Sequence, residues 1–307
     1  MHDCTTANIR APGGKRPALT LVLLTLASAG LFTLQPLLNL GRQPLHINDQ
    51  IARDQAYHYK RSTGLSPDPA SHPEAIVQIF AARAWGFRGI FADHTWIAFK
   101  PANAPSYTVC QIKGWLLDEQ GHSPLEVREG IPDLYWMGSP ARLVLDLRGN
   151  MAEQAISDII CAVKNYPYKD KYRLWPGPNS NTFTAHIIRQ VPQLRCVLPV
   201  TAIGRDYLDE GTFINRTPSN TGYQMSVYGL ASVSAAQMEG LELSILGLTI
   251  RLDIQGRSIY LPGDSSPVIS LDAQKNGDRR PRVHAVWNCR RESGRGSLPA
   301  QGQVLVD

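Results

Sequence analysis

The sequence predicts an α+β fold in which an antiparallel sheet packs against helices, and three observations carry that expectation. Runs rich in β-branched, aromatic and other apolar residues occur near 75–84, 90–100, 107–115 and 143–148, each bounded by turn-forming residues. A helix is expected over about Met151 to Asn165, where apolar side chains recur at helical spacing. The Pro176-Gly177-Pro178 run stops regular structure and Asn179-Ser180 supplies capping chemistry, so a second helix is expected over Thr182 to Gln190. Strands come first and helices after, which selects a meandering antiparallel sheet over a parallel one.

In chain order, residues 1–17 contain Arg10, Lys15 and Arg16 and precede an uncharged apolar run over 18–40, ALTLVLLTLASAGLFTLQPLLNL. That run has about the ~20-residue length of a bilayer crossing. The positive charges before it expect a cytoplasmic N-terminus and a single-pass anchor in the inner (cytoplasmic) membrane, with the main domain periplasmic. Ala27-Ser28-Ala29 has the form of a signal-peptidase site, but apolar residues continue to Leu40 and favour a retained anchor. Residues 41–73, punctuated by Pro67, Pro69 and Pro73, read as a linker. Residues 74–263 form the main domain, and residues 264–307 read as a disordered basic tail with Arg279, Arg280, Arg282, Arg290, Arg291 and Arg295 among Gly, Pro and Ser.

The net charge of +5 is spread out. With export expected, nucleic acid is disfavoured as a partner. The membrane, through the N-terminal helix, and an envelope polymer or lipid remain. Oligomeric state is left open. The cysteines at 4, 110, 161, 196 and 289 have no metal-type spacing, so neither a zinc site nor a disulfide framework is expected, and Cys161 reads as a core residue of the first helix. No phosphate loop or nucleotide fingerprint is present, so no cofactor is expected.

Ser180 is placed where free backbone amides and the helix field favour a developing negative charge, a setting that suits an acyl-transfer nucleophile. The bland alternative is a serine that only caps the helix. His94, in the strand-like run Gly89 to Lys100, is the candidate base, against a core histidine bonded to a backbone carbonyl. Gln111 is the candidate orienting group; Asp93 is a poor one, since neighbours on a strand point to opposite faces. Asn179, Asn181, Tyr172 and Trp96 complete the candidate substrate-binding set, with amides near Ser180 and Asn181 holding the oxyanion. His186 reads as structural. Ala202–Tyr207 reads as a turn into an exposed loop, Thr217–Tyr223 as a border of the cleft, and Leu241–Ile254 as a buried strand pair or a surface-associated element.

Two resemblances bear on these residues. An early-strand His followed far downstream by Asn-Cys-Asn-x-Phe at a helix start marks the circularly permuted papain-like hydrolases. That group includes the lecithin retinol acyltransferase-like and NlpC-type proteins. Asn179-Ser180-Asn181-Thr182-Phe183 resembles that motif with serine in the cysteine position. More closely, the chain resembles the bacterial domain-of-unknown-function family 3750 over roughly residues 62–263. The matching segments are Trp85-Gly86-Phe87-Arg88-Gly89-Ile90-Phe91, His94-Thr95-Trp96, Tyr166-Pro167-Tyr168, the PGPNSNTF run, Leu198-Pro199 with Ala202-Ile203-Gly204, and Glu239-Gly240-Leu241-Glu242. The first resemblance implies a permuted papain-like fold; the second implies a domain and no particular reaction. Serine needs a well-placed base where cysteine ionises more readily, so the cysteine mechanism does not carry over unchanged. Two functions follow: an envelope hydrolase or acyltransferase using Ser180 and His94 on an amide or ester, or an inactive membrane-anchored binding module.

Overall fold

The computed structural model describes residues 61–118, 122–264 and 269–270. The apolar run 18–40, most of the basic tail, Cys4 and Cys289 lie outside them. Among the described residues no helix is long and apolar enough to cross a membrane. The fold is α+β, with two antiparallel sheets and few helices.

The first sheet comprises β1 (Ile76–Arg83), β2 (Asp93–Lys100), β3 (Tyr107–Ile112), β4 (Leu125–Gly130) and β5 (Arg142–Arg148), in the order β4-β3-β2-β1-β5. Its central strands are covered on both sides, which is why β1 and β2 read as near-continuous apolar runs rather than alternating ones. One face carries Val77, Ile79, Ile97, Phe99, Cys110 and Ile112 and packs under two helices, α2 (Asn150–Lys164) and α3 (Ser180–Gln190). The other carries Phe80, Ala82, Trp96, Ala98 and Val109 and is closed by Trp136 and Leu143.

Several elements start or stop where local chemistry dictates. The expected strand from residue 90 begins only at Asp93, after a 3-10 turn at Gly86–Ile90. The run expected as strand to Trp115 gives way to a short helix, α1 (Gly114–Asp118). Helix α2 points Ala152, Ala155, Ile156, Ile159 and Val163 inward, the i, i+3, i+4 stripe of an amphipathic helix. Cys161 falls outside that stripe and is exposed, which corrects its expected core position. Helix α3 begins at Ser180, two residues earlier than expected. Asn179 Oδ1 accepts from the amides of Asn181 and Thr182, and the Thr182 hydroxyl accepts from the Asn179 amide, a closed capping box.

The segment from Arg61 is built into the domain rather than serving as a spacer up to residue 73. Asp133 accepts from the Ser62 and Thr63 hydroxyls and from the Leu65 amide.

The second sheet is a seven-stranded antiparallel meander in the order β12-β11-β10-β9-β8-β7-β6. Its strands are β6 (Ile214–Arg216), β7 (Gly222–Val227), β8 (Ala231–Ala236), β9 (Gly240–Ile245), β10 (Leu248–Asp253), β11 (Ser258–Tyr260) and β12 (Ile269–Ser270). The run Leu241–Ile254 is thus largely the β9–β10 hairpin, and β12 shows that the expected disordered tail contributes a short strand. The inward positions of this sheet are polar and anchor it to the first half. Glu242 pairs with Arg205 and Arg251, Arg251 also donates to the Leu198 carbonyl, and Gln224 donates to the Asp206 carbonyl. Residues 202–208, expected to lead into an exposed loop, are mostly buried because this polar seam runs over them.

Candidate functional site

The site is built where β2 parts from β3. The ladder between these strands pairs Ile97 with Cys110, Ala98 with Val109 and Phe99 with Thr108, and stops there. Asp93, nearer the start of β2, would otherwise leave its backbone groups on that flank unbonded in the interior, which is unfavourable. Its amide instead donates to the Thr201 carbonyl at 2.8 Å, and its carbonyl accepts from Asn181 Nδ2 at 2.9 Å. The start of α3 therefore stands in the place that β3 vacates.

Asn181 and Asn179 are the fasteners of that arrangement. Asn181 Oδ1 accepts from the Thr95 hydroxyl at 2.9 Å, and its Nδ2 reaches the Ile203 carbonyl at 2.8 Å as well as Asp93. Asn179 caps the helix with Oδ1 and donates through Nδ2 to the carbonyls of Leu174 and Ile203. Gly204, at φ +94°, makes room for it, since a Cβ there would strike the Asn179 amide. Both asparagines thus hold the frame, with their side-chain groups already engaged.

Ser180 differs from its neighbours. It is 7% exposed, and among the described residues neither its hydroxyl nor its backbone amide has a hydrogen-bond partner. The Asn181 amide, expected to help hold an oxyanion, is already bound by Asn179 Oδ1. That leaves the Ser180 amide as the open donor of the first turn.

His94, also 7% exposed, lies on β2 between the two residues that Asn181 grips. Its ring stacks on Trp136 with centroids 3.5 Å apart and planes within 2°, on the sheet face that carries Trp96. His94 Nε2 is 3.1 Å from Gln111 Oε1. Gln111 Nε2 donates to Glu126 Oε2 at 2.6 Å, and Lys113 Nζ donates to the other Glu126 oxygen at 2.7 Å. A carboxylate can only accept, so Glu126 fixes the Gln111 amide with its oxygen toward His94. His94 Nε2 is therefore the protonated nitrogen, and Nδ1 keeps the lone pair. Burial pushes the His94 pKa down to about 3, only partly opposed by the Gln111 bond and reinforced by the nearby Lys113 charge, so the ring is neutral at pH 7.

Ser180 and His94 share no hydrogen bond among the described residues. What the structure brings together is their frame: Asn181, adjacent to the serine, contacts the residues on either side of the histidine. Trp96 is buried and donates its indole N–H to the Pro132 carbonyl at 2.8 Å, so it packs the sheet face behind His94. Tyr172 is half-buried against Gly114, where a Cβ would meet its ring. His186 sits edge-on to Tyr166 and away from the helix start. Asp93 points away from His94, to Arg83, Arg142 and Thr201. The loop 217–223 lies at the opposite end of α3, where Asn220 Nδ2 donates to the Arg189 carbonyl, and so does not border this site.

Glu126, Trp136 and Thr201 were not legible as site residues. Glu126 sits opposite Gln111 in the β3–β4 register, and that pairing is visible only once β4 is placed. No group of His, Cys, Asp and Glu among the described residues is arranged to hold a metal ion.

Residues 74–207 match the family model described as "Protein of unknown function (DUF3750)", which supports the resemblance to that family over the first sheet, α2 and α3. The match ends at Tyr207, before the second sheet, and is shorter than the span expected from the sequence. No curated protein and no solved structure matches the chain.

Proposed function

We propose that the domain is a membrane-anchored, exported hydrolase or acyltransferase of permuted papain-like architecture, with Ser180 as nucleophile and His94 as base. The single observation that carries this reading is Ser180 itself: an unbonded hydroxyl at the first position of a capped eleven-residue helix, on the flank of the strand that bears His94. In this mechanism the Ser180 oxygen adds to the carbonyl carbon of an amide or ester while its proton passes to His94 Nδ1. The leaving group departs with that proton, and water repeats the addition to release the acyl group. The Ser180 amide and the positive end of α3 stabilise the oxyanion. Glu126 and Gln111 hold the tautomer that leaves Nδ1 unprotonated. A depressed His94 pKa keeps the base free of its proton but lowers its basicity, so turnover is expected to be slow.

A second reading, a binding module without catalysis, is favoured by one observation. His94 is held between Trp136 and Gln111, its ring on the sheet face opposite to the one that α3 packs against, and it makes no bond to Ser180. A fluorophosphonate probe separates the two. The hydrolase reading expects labelling of the full chain that Ser180→Ala and His94→Ala abolish while far-UV circular dichroism is unchanged. An unlabelled wild type selects the binding module, and labelling that survives Ser180→Ala overturns Ser180 as the nucleophile.

A further inference from the structure

The second sheet is built inside out. Alternation along a strand normally turns apolar side chains to the protein and polar ones to water. Here Gln224, Ser226, Ser234, Ser244, Thr249 and Arg251 are turned inward and buried. The outward positions form registered apolar rows. One row runs across five strands as Ile214, Met225, Val233, Leu243 and Ile250, and parallel rows pass through Tyr223 and Val227. Met225 is 54% and Leu243 45% exposed, so these side chains are not covered by any described part of the chain. Contiguous exposed apolar rows of this kind, unlike single scattered apolar residues, mark an interaction surface.

What covers it is indicated by charge and tether. Among the outward strand positions the charged side chain is Arg216, at the edge, with its guanidinium 4.6 Å from the centre of the Tyr223 ring. A protein partner is recognised with roughly one hydrogen bond per 100–200 Å², and these rows offer little to set such a register. A hydrocarbon boundary needs no register, and aromatic and basic side chains favour its rim. The apolar run 18–40 is separated from Arg61 by residues 41–60, which reach at most about 70 Å when extended and roughly 25 Å as a flexible chain. An anchor at 18–40 keeps Arg61, and with it the domain, at the membrane surface.

We propose that the outward face of the second sheet docks on the surface of a phospholipid bilayer. This rests on the anchored reading of residues 18–40 and is independent of Ser180 chemistry. Docking fixes the orientation of the domain, because Gly247 and Gly229, at turns of the same sheet, pack on Ile203, Trp175 and Pro176 beside the start of α3. The start of α3 is thereby held at a set height above the membrane.

The test uses the full chain in vesicles of phosphatidylethanolamine and phosphatidylglycerol, with photoreactive p-benzoyl-L-phenylalanine replacing Leu243 or, as a control, the exposed Gln154 of α2. After irradiation, lipid adducts at position 243 should exceed those at 154 at least tenfold. Met225→Glu with Leu241→Glu, both at exposed positions, should lower them at least fivefold. Cross-linking of position 243 to a second copy or to residues 18–40, or equal adducts at both positions, overturns the proposal. A chain that fails to float with the vesicles overturns the anchor as well; one that floats without lipid adducts at 243 overturns docking alone.

Discussion

The five-stranded sheet buries apolar side chains on both faces, whereas the seven-stranded sheet buries its polar face and leaves its apolar face outside. The first is held by area removed from water, at about 25 cal/mol per Å². The second is held to it by directional bonds, with Glu242, Arg205 and Arg251 at their centre. Burying such charges is favourable only while each keeps its partner. The two sheets therefore fail differently, and single substitutions can tell which rule governs each.

The largest effect is expected at the polar seam. Glu242→Ala leaves Arg205 and Arg251 buried and unpaired and should cost about 3–5 kcal/mol in denaturant unfolding of the full chain. Close behind, Ile97→Ala opens a cavity between the first sheet and its helices, for about 2–5 kcal/mol. A cost below about 1 kcal/mol for Glu242→Ala would erase the contrast, since the second sheet would then owe little to its charges.

An intermediate effect falls at the junction. Asn181→Ala strands the Asp93 carbonyl and the Thr95 hydroxyl, while the Ile203 carbonyl keeps Asn179, and should cost about 1–3 kcal/mol.

His94 gives a pH signature. The unfolded chain takes up this proton near pH 6.5, while the folded chain resists it down to about 3. Between those values the unfolded state binds more protons, so stability falls as pH drops below 6.5, by up to about 1.4 kcal/mol per pH unit from this group. In paired unfolding series from pH 6.5 to 4.5, His94→Gln should flatten that slope. An unchanged slope would mean that the ring is not held neutral.

The smallest effect is expected on the outward face. Leu243→Ser, one residue from Glu242, should stay within about 0.5 kcal/mol in the absence of lipid. A larger loss would show that this face is covered by another part of the chain.

Legibility followed the same division. In the first sheet, apolar content gave the strands: the run from Ile76 to Arg83 and the core of the run before Lys100 were apparent because both faces are buried. Strand β4 was not, since LEVREG sits at the sheet edge and is largely polar. The start of α3 was legible because Pro-Gly-Pro and Asn179 carry local signals. Glu126 was not, because its link to His94 runs through strand pairing distant in sequence. The second sheet was least legible for a physical reason: alternation gives a strand's two faces but not which one meets the protein. For Leu241 to Ile254 the sequence allows a buried strand pair or a surface-associated element, and the β9–β10 hairpin turns Leu241, Leu243, Ile245 and Leu252 outward.

In the proposed mechanism the start of α3 is a nucleophile seat served by His94, and a thiol placed there reports on it without knowledge of the substrate. The measurement is the pH dependence of iodoacetamide alkylation at position 180 in Ser180→Cys, resolved from the native cysteines by peptide mass spectrometry. The expected thiol pKa lies at least about one unit below the ordinary 8.5 and moves back up in the His94→Ala background. A pKa at or above 8.5, unmoved by His94→Ala, would contradict it.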